Sequence, residues 1–322
     1  MGFLTTIGVF LAAAAGTLVL GLVLKWVDRK VTARVQWRVG PPWYQPMVDI
    51  LKLMGKENLM PATARGTGFL LAPLIALVAA AVAAAVLWHA LLWPHQTFVG
   101  DLIVLVYLLM IPALMTMLGA GASGNPHASV GASREMKLLL SYELPLLIAL
   151  LVAIARTAGA GGGWSFRLGQ LITAQQSSAP VAWSLSGVLA LVIAILCTQA
   201  KLGQVPFDLA EAECEIMSGV YVEYSGPSLA SWLMTRAMLA AALPLLLIAV
   251  FWGGLYRGAW WGYLTFAGKY LLLVVLVTLI RNTNPRLRID QVMRFFWFRL
   301  TPVAAAALIL AFWGITKGVS WL

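Results

Sequence analysis

The stretch FLLAPLIALVAAAVAAAVLWHALL, residues 69–92, decides the fold. It carries no formal charge over 24 residues, and as an α-helix it would be about 36 Å long at 1.5 Å per residue. A bilayer has a hydrocarbon core about 30 Å thick, which a helix of about 20 apolar residues can span. The stretch therefore predicts a transmembrane helix.

The rest of the chain has the same character. Of its 322 residues, 61% are hydrophobic and only 11% are charged, whereas a soluble domain carries about 25% charged residues. This composition excludes an ordinary soluble enzyme, a disordered chain and a disulfide scaffold. We therefore predict an all-α integral membrane protein that is surrounded by lipid.

Eight apolar segments are long enough to cross a bilayer, and we assign them to one polytopic domain, 1–322. The predicted spans are 2–24, 69–92, 102–119, 138–155, 181–200, 232–252, 263–280 and 302–315. The predicted cytoplasmic loops are 25–68, 120–137, 201–231 and 281–301. Most Lys and Arg residues fall in these loops, which is the positive-inside pattern. Both termini are then expected to face outward.

The formal net charge of +10 is explained by these loops, so no nucleic-acid partner is predicted. Cys197 and Cys214 do not form a CxxC motif, and the three histidines lack metal-site spacing. There is also no glycine-rich nucleotide-binding motif. We expect no cofactor, metal or redox centre in this chain.

The first loop is predicted to hold a short amphipathic helix after Pro46. Its apolar stripe consists of Met47, Ile50, Leu51 and Met54. Its polar face carries Asp49, Lys52 and Lys56. This spacing favours a helix that lies at the membrane interface, with either a generic or a specific role.

The loop between the fifth and sixth spans is the most acidic segment of the chain. It contains Asp208, Glu211, Glu213, Glu215 and Glu223. Asp208 and Glu211 have the spacing of a capping box, which predicts a loop helix with Glu211 and Glu215 on one face. Carboxylates crowded near a bilayer would raise one another's pKa values and could hold and pass protons. The alternative is a solvated loop helix.

Glu143 lies inside the fourth predicted span. An acid there costs a few kcal/mol unless it is paired, hydrated or protonated, which makes Glu143 a functional candidate. The alternative is a position near the membrane surface. Lys269 also lies within a span, but near enough to its end to reach the surface.

Four blocks of sequence resemble a known family. They are Arg38-Val-Gly-Pro-Pro42 with Gln45-Pro46; Ser141-Tyr-Glu143; Val205–Glu215 with Glu223-Tyr-Ser-Gly226; and Pro285–Arg294. In this order they resemble the membrane subunit that joins the two arms of respiratory complex I. They are also similar to its counterpart in energy-converting, membrane-bound nickel–iron hydrogenases.

One departure favours the hydrogenase branch, which includes formate hydrogenlyase and carbon-monoxide-linked enzymes. The complex I pattern has a longer stretch before Gln-Pro, and that stretch helps to build the quinone pocket. Here the run Gly40-Pro41-Pro42-Trp43-Tyr44 leads straight into Gln45-Pro46. The short form resembles the hydrogenase subunits.

The resemblance implies an eight-helix coupling subunit in the plasma membrane of a prokaryote. Its implied partners are a nickel–iron large subunit, an iron–sulfur small subunit and antiporter-like membrane subunits that move H⁺ or Na⁺. The implied coupling residues are Glu143, Asp208, Glu211, Glu213, Glu215 and Glu223. The expected contacts to partner subunits are Arg34, Arg38, Gly40, Pro41, Gln45, Pro46, Asp49, Lys52, Arg288, Asp290 and Arg294.

Three alternatives stay open from the sequence. The chain could be the equivalent subunit of a quinone-reducing complex, a stand-alone ion transporter or a passive membrane anchor. The lack of an internal repeat argues against the transporter.

Overall fold

The computed structural model describes residues 3–64, 66–159, 163–318 and 321, and for residues 3–6, 213 and 214 it describes the backbone alone. Its α-helices are α1 (Phe3–Val35), α2 (Gln45–Met54), α3 (Gly66–Leu92), α4 (Asp101–Ala122), α5 (Pro126–Thr157), α6 (Leu168–Ser177), α7 (Leu185–Lys201), α8 (Glu213–Ile216), α9 (Gly226–Phe251), α10 (Trp260–Thr283), α11 (Ile289–Arg294) and α12 (Thr301–Lys317). A π-helical segment, Phe295–Leu300, joins α11 to α12.

The described residues contain seven helices that are long and apolar enough to cross a membrane. They are α1, α3, α4, α5, α9, α10 and the continuous helix Ile289–Lys317. The apolar helix α7 is shorter, at 17 residues. These elements confirm an all-helical membrane protein with about eight spans.

Two helices extend well beyond the apolar segments that predicted them. α1 continues to Val35, and α5 begins at Pro126, so only three residues separate α5 from α4. Asn125 caps α5 by accepting a hydrogen bond from the His127 N–H at 2.8 Å, and Pro126 occupies the first turn. Much of the sequence expected in loops 25–68 and 120–137 is therefore helical, including Lys25 and Glu135.

The core is built around α9 and α5. α9 is largely apolar and packs against α1 and α3, whereas α5 packs against α7 and α12. A Cβ atom at Gly21 of α1 would lie 2.1 Å from the Ala237 carbonyl oxygen, so only glycine permits this close contact with α9. The contact brings Lys25, one turn further along α1, to the same cavity as Arg236 of α9.

One end of the bundle carries the segments 36–64, 123–125, 202–225 and 284–288, and we call it the charged end. Hydrogen bonds tie these segments together. They join Leu59 to Ser225, Thr63 to Ser123, Asn125 to Glu223 and Leu287 to Pro206. The predicted amphipathic helix is α2 at this end, where Ile50 is buried while Met47, Leu51 and Met54 remain exposed.

Candidate functional site

The most buried ion pair among the described residues joins α5 to α7 next to the charged end. Lys201 Nζ donates to Glu143 Oε2 at 3.2 Å, and the two side chains are only 2% and 14% exposed. The ammonium also lies 5.6 Å from the centre of the Tyr142 ring. Glu143 is therefore paired inside the bundle, and sequence reasoning missed its partner because Lys201 was assigned to a loop.

A second pair joins the acidic loop to α9. Arg236 Nη1 donates to Glu211 Oε2 at 2.5 Å, and the guanidinium lies 5.7 Å from the centre of the Tyr221 ring. Burial raises the pKa of Glu211 above its ordinary value, although the charge of Arg236 opposes the shift. The nearby charge of Asp208 raises the pKa further.

The remaining described acids of this loop have separate partners. Asp208 pairs with Arg286, Glu215 with Arg134 of α5 at 2.5 Å, and Glu223 with the Asn125 amide at 2.5 Å. The loop acids therefore do not form one bare carboxylate cluster, because three of them pair with arginines from different elements and Glu223 accepts a hydrogen bond from a neutral amide. The side chain of Glu213 lies outside the described residues.

The predicted capping box is wrong. Residues 208–212 are not helical, and α8 is a single helical turn, Glu213–Ile216, that follows Ala212. Asp208 and Glu211 therefore do not start a helix, and the shared helical face of Glu211 and Glu215 does not form. The physical reason is that Arg286 and Arg236 take these two carboxylates into tertiary ion pairs. Gly219 adopts φ +48°, where a Cβ atom would lie 2.0 Å from the Ala210 carbonyl oxygen, and this close approach folds the loop back on itself.

A cavity of about 50 Å³ lies among these groups. Its charged lining residues are Lys25, Glu135, Lys201, Asp208, Glu211 and Arg236. They come from α1, α5, α7, the acidic loop and α9, so the cavity lies where these five elements meet. Sequence reasoning singled out neither Lys25 nor Glu135. The signal that could have found Glu135 is the Asn125-Pro126 helix start, which places it inside a helix.

Two buried oxygen atoms of the cavity lining, Asp208 Oδ1 and Gln204 Oε1, have no hydrogen-bond partner among the described residues. The same holds for Glu143 Oε1 and the Tyr142 hydroxyl, which lie beside Lys201. Buried polar atoms of this kind are usually satisfied by water, and one water molecule needs about 10–15 Å³ of cavity volume. The cavity can therefore hold roughly four water molecules between the ion pairs.

The residues expected to contact partner subunits divide into two groups. Arg34, Arg38, Lys52, Arg288, Asp290 and Arg294 are exposed. Gly40, Pro41, Gln45, Pro46 and Asp49 are partly or fully buried. The second group makes internal contacts: Trp26 Nε1 donates to the Pro41 carbonyl at 3.1 Å, and Asp49 accepts from both Arg29 and Gln45 at 2.9 Å.

The loop that these contacts hold presents apolar side chains to the outside. Trp37 is 98% exposed, Val39 is 94% exposed and Trp43 is 67% exposed. An exposed apolar patch of this kind, beside Arg34 and Arg38, is typical of a protein interface. That this loop contacts a partner stays a prediction from the sequence motif, and the structure adds that Trp37 and Trp43 are exposed.

No group of three or more His, Cys, Asp or Glu residues with metal-binding geometry is present among the described residues. Cys197 is a buried free thiol in α7. The charged end therefore contains a row of ion pairs around a cavity that is large enough for a few water molecules. Such a row can respond to a change in nearby charge, because Coulomb interactions are strong where the dielectric is low.

Comparisons with known proteins agree with this architecture. Residues 7–312 match the family described as NADH dehydrogenase. The chain is 34% identical to an NADH-quinone oxidoreductase subunit of Anoxybacillus flavithermus, over 93% of this chain and 92% of that protein. It is also 34% identical to the subunit of the same name in Syntrophotalea carbinolica, over 94% and 95% of the two chains.

The fold is similar to a chain in the structure of the membrane-bound sulfane sulfur reductase, an archaeal respiratory membrane complex. The TM-score is 0.81 at 30% identity, and the match covers 94% of this chain and 99% of that chain. The expected resemblance to the complex I membrane subunit is thereby confirmed. The all-helical membrane architecture, the shared sequence and the matching fold show that this chain belongs to the NADH dehydrogenase family, as a homologue of that membrane subunit in complex I-like oxidoreductases.

Proposed function

We propose that this chain is the membrane-anchoring and coupling subunit of an energy-converting nickel–iron hydrogenase complex in a prokaryotic plasma membrane. The charged end faces the cytoplasm and both termini lie outside. A nickel–iron large subunit and an iron–sulfur small subunit dock on this end and hold all the redox cofactors. Hydrogen evolution there drives H⁺ or Na⁺ through antiporter-like membrane subunits.

The observation that carries the coupling role is the row of ion pairs that runs from the acidic loop into the bundle. Arg286–Asp208 and Arg236–Glu211 lie at the loop, and Lys201–Glu143 lies between α5 and α7. A change of one charge in a docked subunit would alter the balance of these pairs, because low-dielectric surroundings screen such a charge poorly. This supports electrostatic coupling over a passive anchor.

The loop from Trp37 to Gln45 supports the choice of a hydrogenase. Its short form resembles the hydrogenase branch, and Lys30 Nζ and Trp26 Nε1 hold it against α1 through the Gly40 and Pro41 carbonyls at 3.4 and 3.1 Å. The exposed Trp37, Val39 and nearby arginines then form a compact docking surface for the cluster-bearing small subunit. The exposed interface residues Lys52, Arg288, Asp290 and Arg294 extend that surface.

A quinone-reducing complex is the second candidate. The observation that favours it is the similarity to relatives named as NADH-quinone oxidoreductase subunits. The purified intact complex decides between the two. With reduced ferredoxin it is expected to evolve hydrogen and to leave a soluble menaquinone analogue unreduced. Quinone reduction without hydrogen evolution would overturn the hydrogenase proposal.

Coupling is tested by Glu143→Gln in the intact complex reconstituted in vesicles. The new amide oxygen can still accept the hydrogen bond from Lys201, although the buried ammonium loses its counter-charge and the protein loses some stability. We expect the complexes that assemble to evolve hydrogen and to lose ion uptake. The matched control is Glu57→Gln, which removes an exposed carboxylate. An assembled Glu143→Gln complex that moves ions at the wild-type ratio would show that Glu143 is not part of the coupling path.

A further inference from the structure

Trp37 has an unusual backbone conformation for a residue with a large side chain. Its φ is +58°, in the left-handed region that glycine adopts readily and other residues seldom adopt. The Trp37 N–H donates to the Arg34 carbonyl at 3.2 Å, and the Arg38 N–H donates to the Ala33 carbonyl at 2.7 Å. These two hydrogen bonds form the Schellman motif that ends α1, in which the left-handed position is usually glycine. A tryptophan at this position therefore costs free energy that a glycine would not.

No contact within the described part of this chain offsets that cost. Trp37 is 98% exposed, and its indole forms neither a hydrogen bond nor a ring contact with a described residue. By comparison, the ring of Trp43 in the same loop meets the ring of Tyr44 edge-on, with the ring centres 5.9 Å apart. An indole that is left in water keeps a large apolar surface exposed. The stability of this chain therefore does not explain why position 37 holds a tryptophan.

The membrane does not explain Trp37 either, because α1 carries it past the lipid headgroups. The predicted apolar span ends at Leu24, and residues 25–35 add about 16 Å of charged helix before α1 ends. The headgroup layer on one side of a bilayer is about 5–8 Å thick. Trp37 lies beyond this layer and so beyond the depth at which tryptophan anchors a protein to lipid. This position favours a protein surface as the partner of the indole.

The charges beside the indole indicate what that protein surface carries. Arg34 and Arg38 flank Trp37 and are exposed, and neither forms an ion pair with any residue that the structure describes. A second copy of this chain would bring the same cations face to face, which like-charge repulsion opposes. The complementary surface is therefore an apolar pocket with carboxylates at its rim.

The loop that follows Trp37 is fixed by this chain alone. Lys30 Nζ donates to the Gly40 carbonyl at 3.4 Å, and Trp26 Nε1 donates to the Pro41 carbonyl at 3.1 Å. Gly40 lies so close to α1 that a Cβ atom there would be 2.8 Å from Lys30 Cδ. A side chain presented by a fixed backbone loses less conformational entropy when it binds. Tryptophans presented in this way are typical of the few residues that carry most of the binding energy of an interface.

We propose that Trp37 is the anchor that holds the soluble cluster-bearing subunit on this chain. Its indole enters an apolar pocket of that subunit, and carboxylates at the rim of the pocket pair with Arg34 and Arg38. Removal of the indole from water on docking offsets the cost of its left-handed backbone. The anchor rests on the proposed function, in which that subunit docks on the charged end.

Two substitutions at this position separate stability from binding. Trp37→Ala removes the indole but keeps a Cβ atom at the strained position, whereas Trp37→Gly removes both. The melting temperature of the full-length chain in detergent should stay nearly unchanged in Trp37→Ala and should rise by about 1–3 °C in Trp37→Gly. A lower melting temperature in both variants would show that the indole stabilises this chain itself, and the anchor would be wrong.

Rebinding of the soluble subunits measures the anchor directly. The subunits are stripped from membranes that contain the complex, and the dissociation constant for their rebinding is titrated. Trp37→Ala and Trp37→Gly should each raise this constant at least about 30-fold, and Trp37→Phe should raise it less. The matched control is Trp260→Ala, which removes a 75% exposed residue at the start of α10, at the opposite end of the bundle. Wild-type affinity in Trp37→Ala would overturn the anchor.

A photoreactive benzoylphenylalanine in place of Trp37 in the intact complex identifies what covers the side chain. We expect a cross-link to a soluble subunit, and cross-links to lipid alone or to a second copy of this chain would overturn the anchor. None of these readouts uses hydrogen evolution. If rebinding depends on Trp37 in a complex that reduces quinone, the hydrogenase proposal fails and the anchor stands. If a hydrogen-evolving complex rebinds its soluble subunits independently of Trp37, the anchor fails and the proposed function stands.

Discussion

The two ion pairs Lys201–Glu143 and Arg29–Asp49 belong to the same end of the molecule but to opposite environments. The first is 2% and 14% exposed, whereas the second is 46% and 35% exposed. Breaking a buried pair leaves an uncompensated charge that water cannot reach, while an exposed pair is replaced by water at little cost. The same kind of ion pair therefore compensates buried charges inside the bundle and fixes α2 against α1 at its surface.

The largest effect is expected when the buried pair loses one member. Lys201→Met leaves the Glu143 carboxylate without its cation between α5 and α7, which should destabilise the protein by about 3–5 kcal/mol. Denaturant titration of the detergent-solubilised protein measures the change. The variant Lys201→Met/Glu143→Gln should recover most of the loss, and equal destabilisation in the single and double variants would contradict the buried-pair interpretation.

An intermediate effect is expected at the Glu211–Arg236 pair, which is 24% exposed on each side. Arg236→Met removes the cation and leaves the Glu211 carboxylate without its partner, so we expect a loss of about 1–3 kcal/mol at neutral pH. Thermal melting in detergent measures it, with Glu57→Gln as the exposed control. A loss no larger than that of the control would place this pair with the exposed class.

The pH dependence sharpens this second prediction. The pKa of Glu211 is raised in the folded protein by burial, so the folded state binds its proton more tightly than the unfolded state does. The contribution of this carboxyl to stability therefore falls as the pH rises from its ordinary pKa of 4.5 toward the raised value. Glu211→Gln should remove that part of the pH dependence, and an unchanged melting profile across this interval would contradict it.

The smallest effect is expected at the surface. Burial raises the pKa of Asp49, but hydrogen bonds from Arg29 and Gln45 outweigh it and leave the pKa below its ordinary value of 3.8. The contribution of Asp49 is therefore present above that value and is lost as the pH falls through the lowered pKa. Asp49→Asn should cost less than about 1 kcal/mol, and the cost should shrink further at high salt. A salt-independent loss as large as that of Lys201→Met would erase the distinction between the two regions.

The helices were predictable because the spans are long, apolar and separated by charged segments. Their ends were not, because hydropathy marks where apolar residues stop and not where the helix stops. Lys25 and Glu135 lie just outside the apolar segments 2–24 and 138–155, so both were assigned to loops. The helix start at Asn125 and the continuation of α1 to Val35 place them inside helices.

The candidate site was predictable only in part. Glu143 and the acidic loop stand out as carboxylates near a membrane, but local spacing favoured a capping box that the structure does not contain. Arg286 pairs with Asp208 and Arg236 with Glu211, and neither arginine can be assigned to a particular acid from spacing along the chain. The exposure of Trp37 likewise depends on how the loop is held against α1.

By itself the sequence determined that this protein lies in a lipid bilayer, that it is all-helical and which family it belongs to. The length of the apolar segments and the order of the motifs carry this information, and neither depends on packing. Only the tertiary structure decided which charges meet. Lys201 and Glu143 are 58 residues apart in sequence, and Arg286 and Asp208 are 78 residues apart. Such pairs form because helix packing brings them into one low-dielectric space, where each charge requires a partner or a proton.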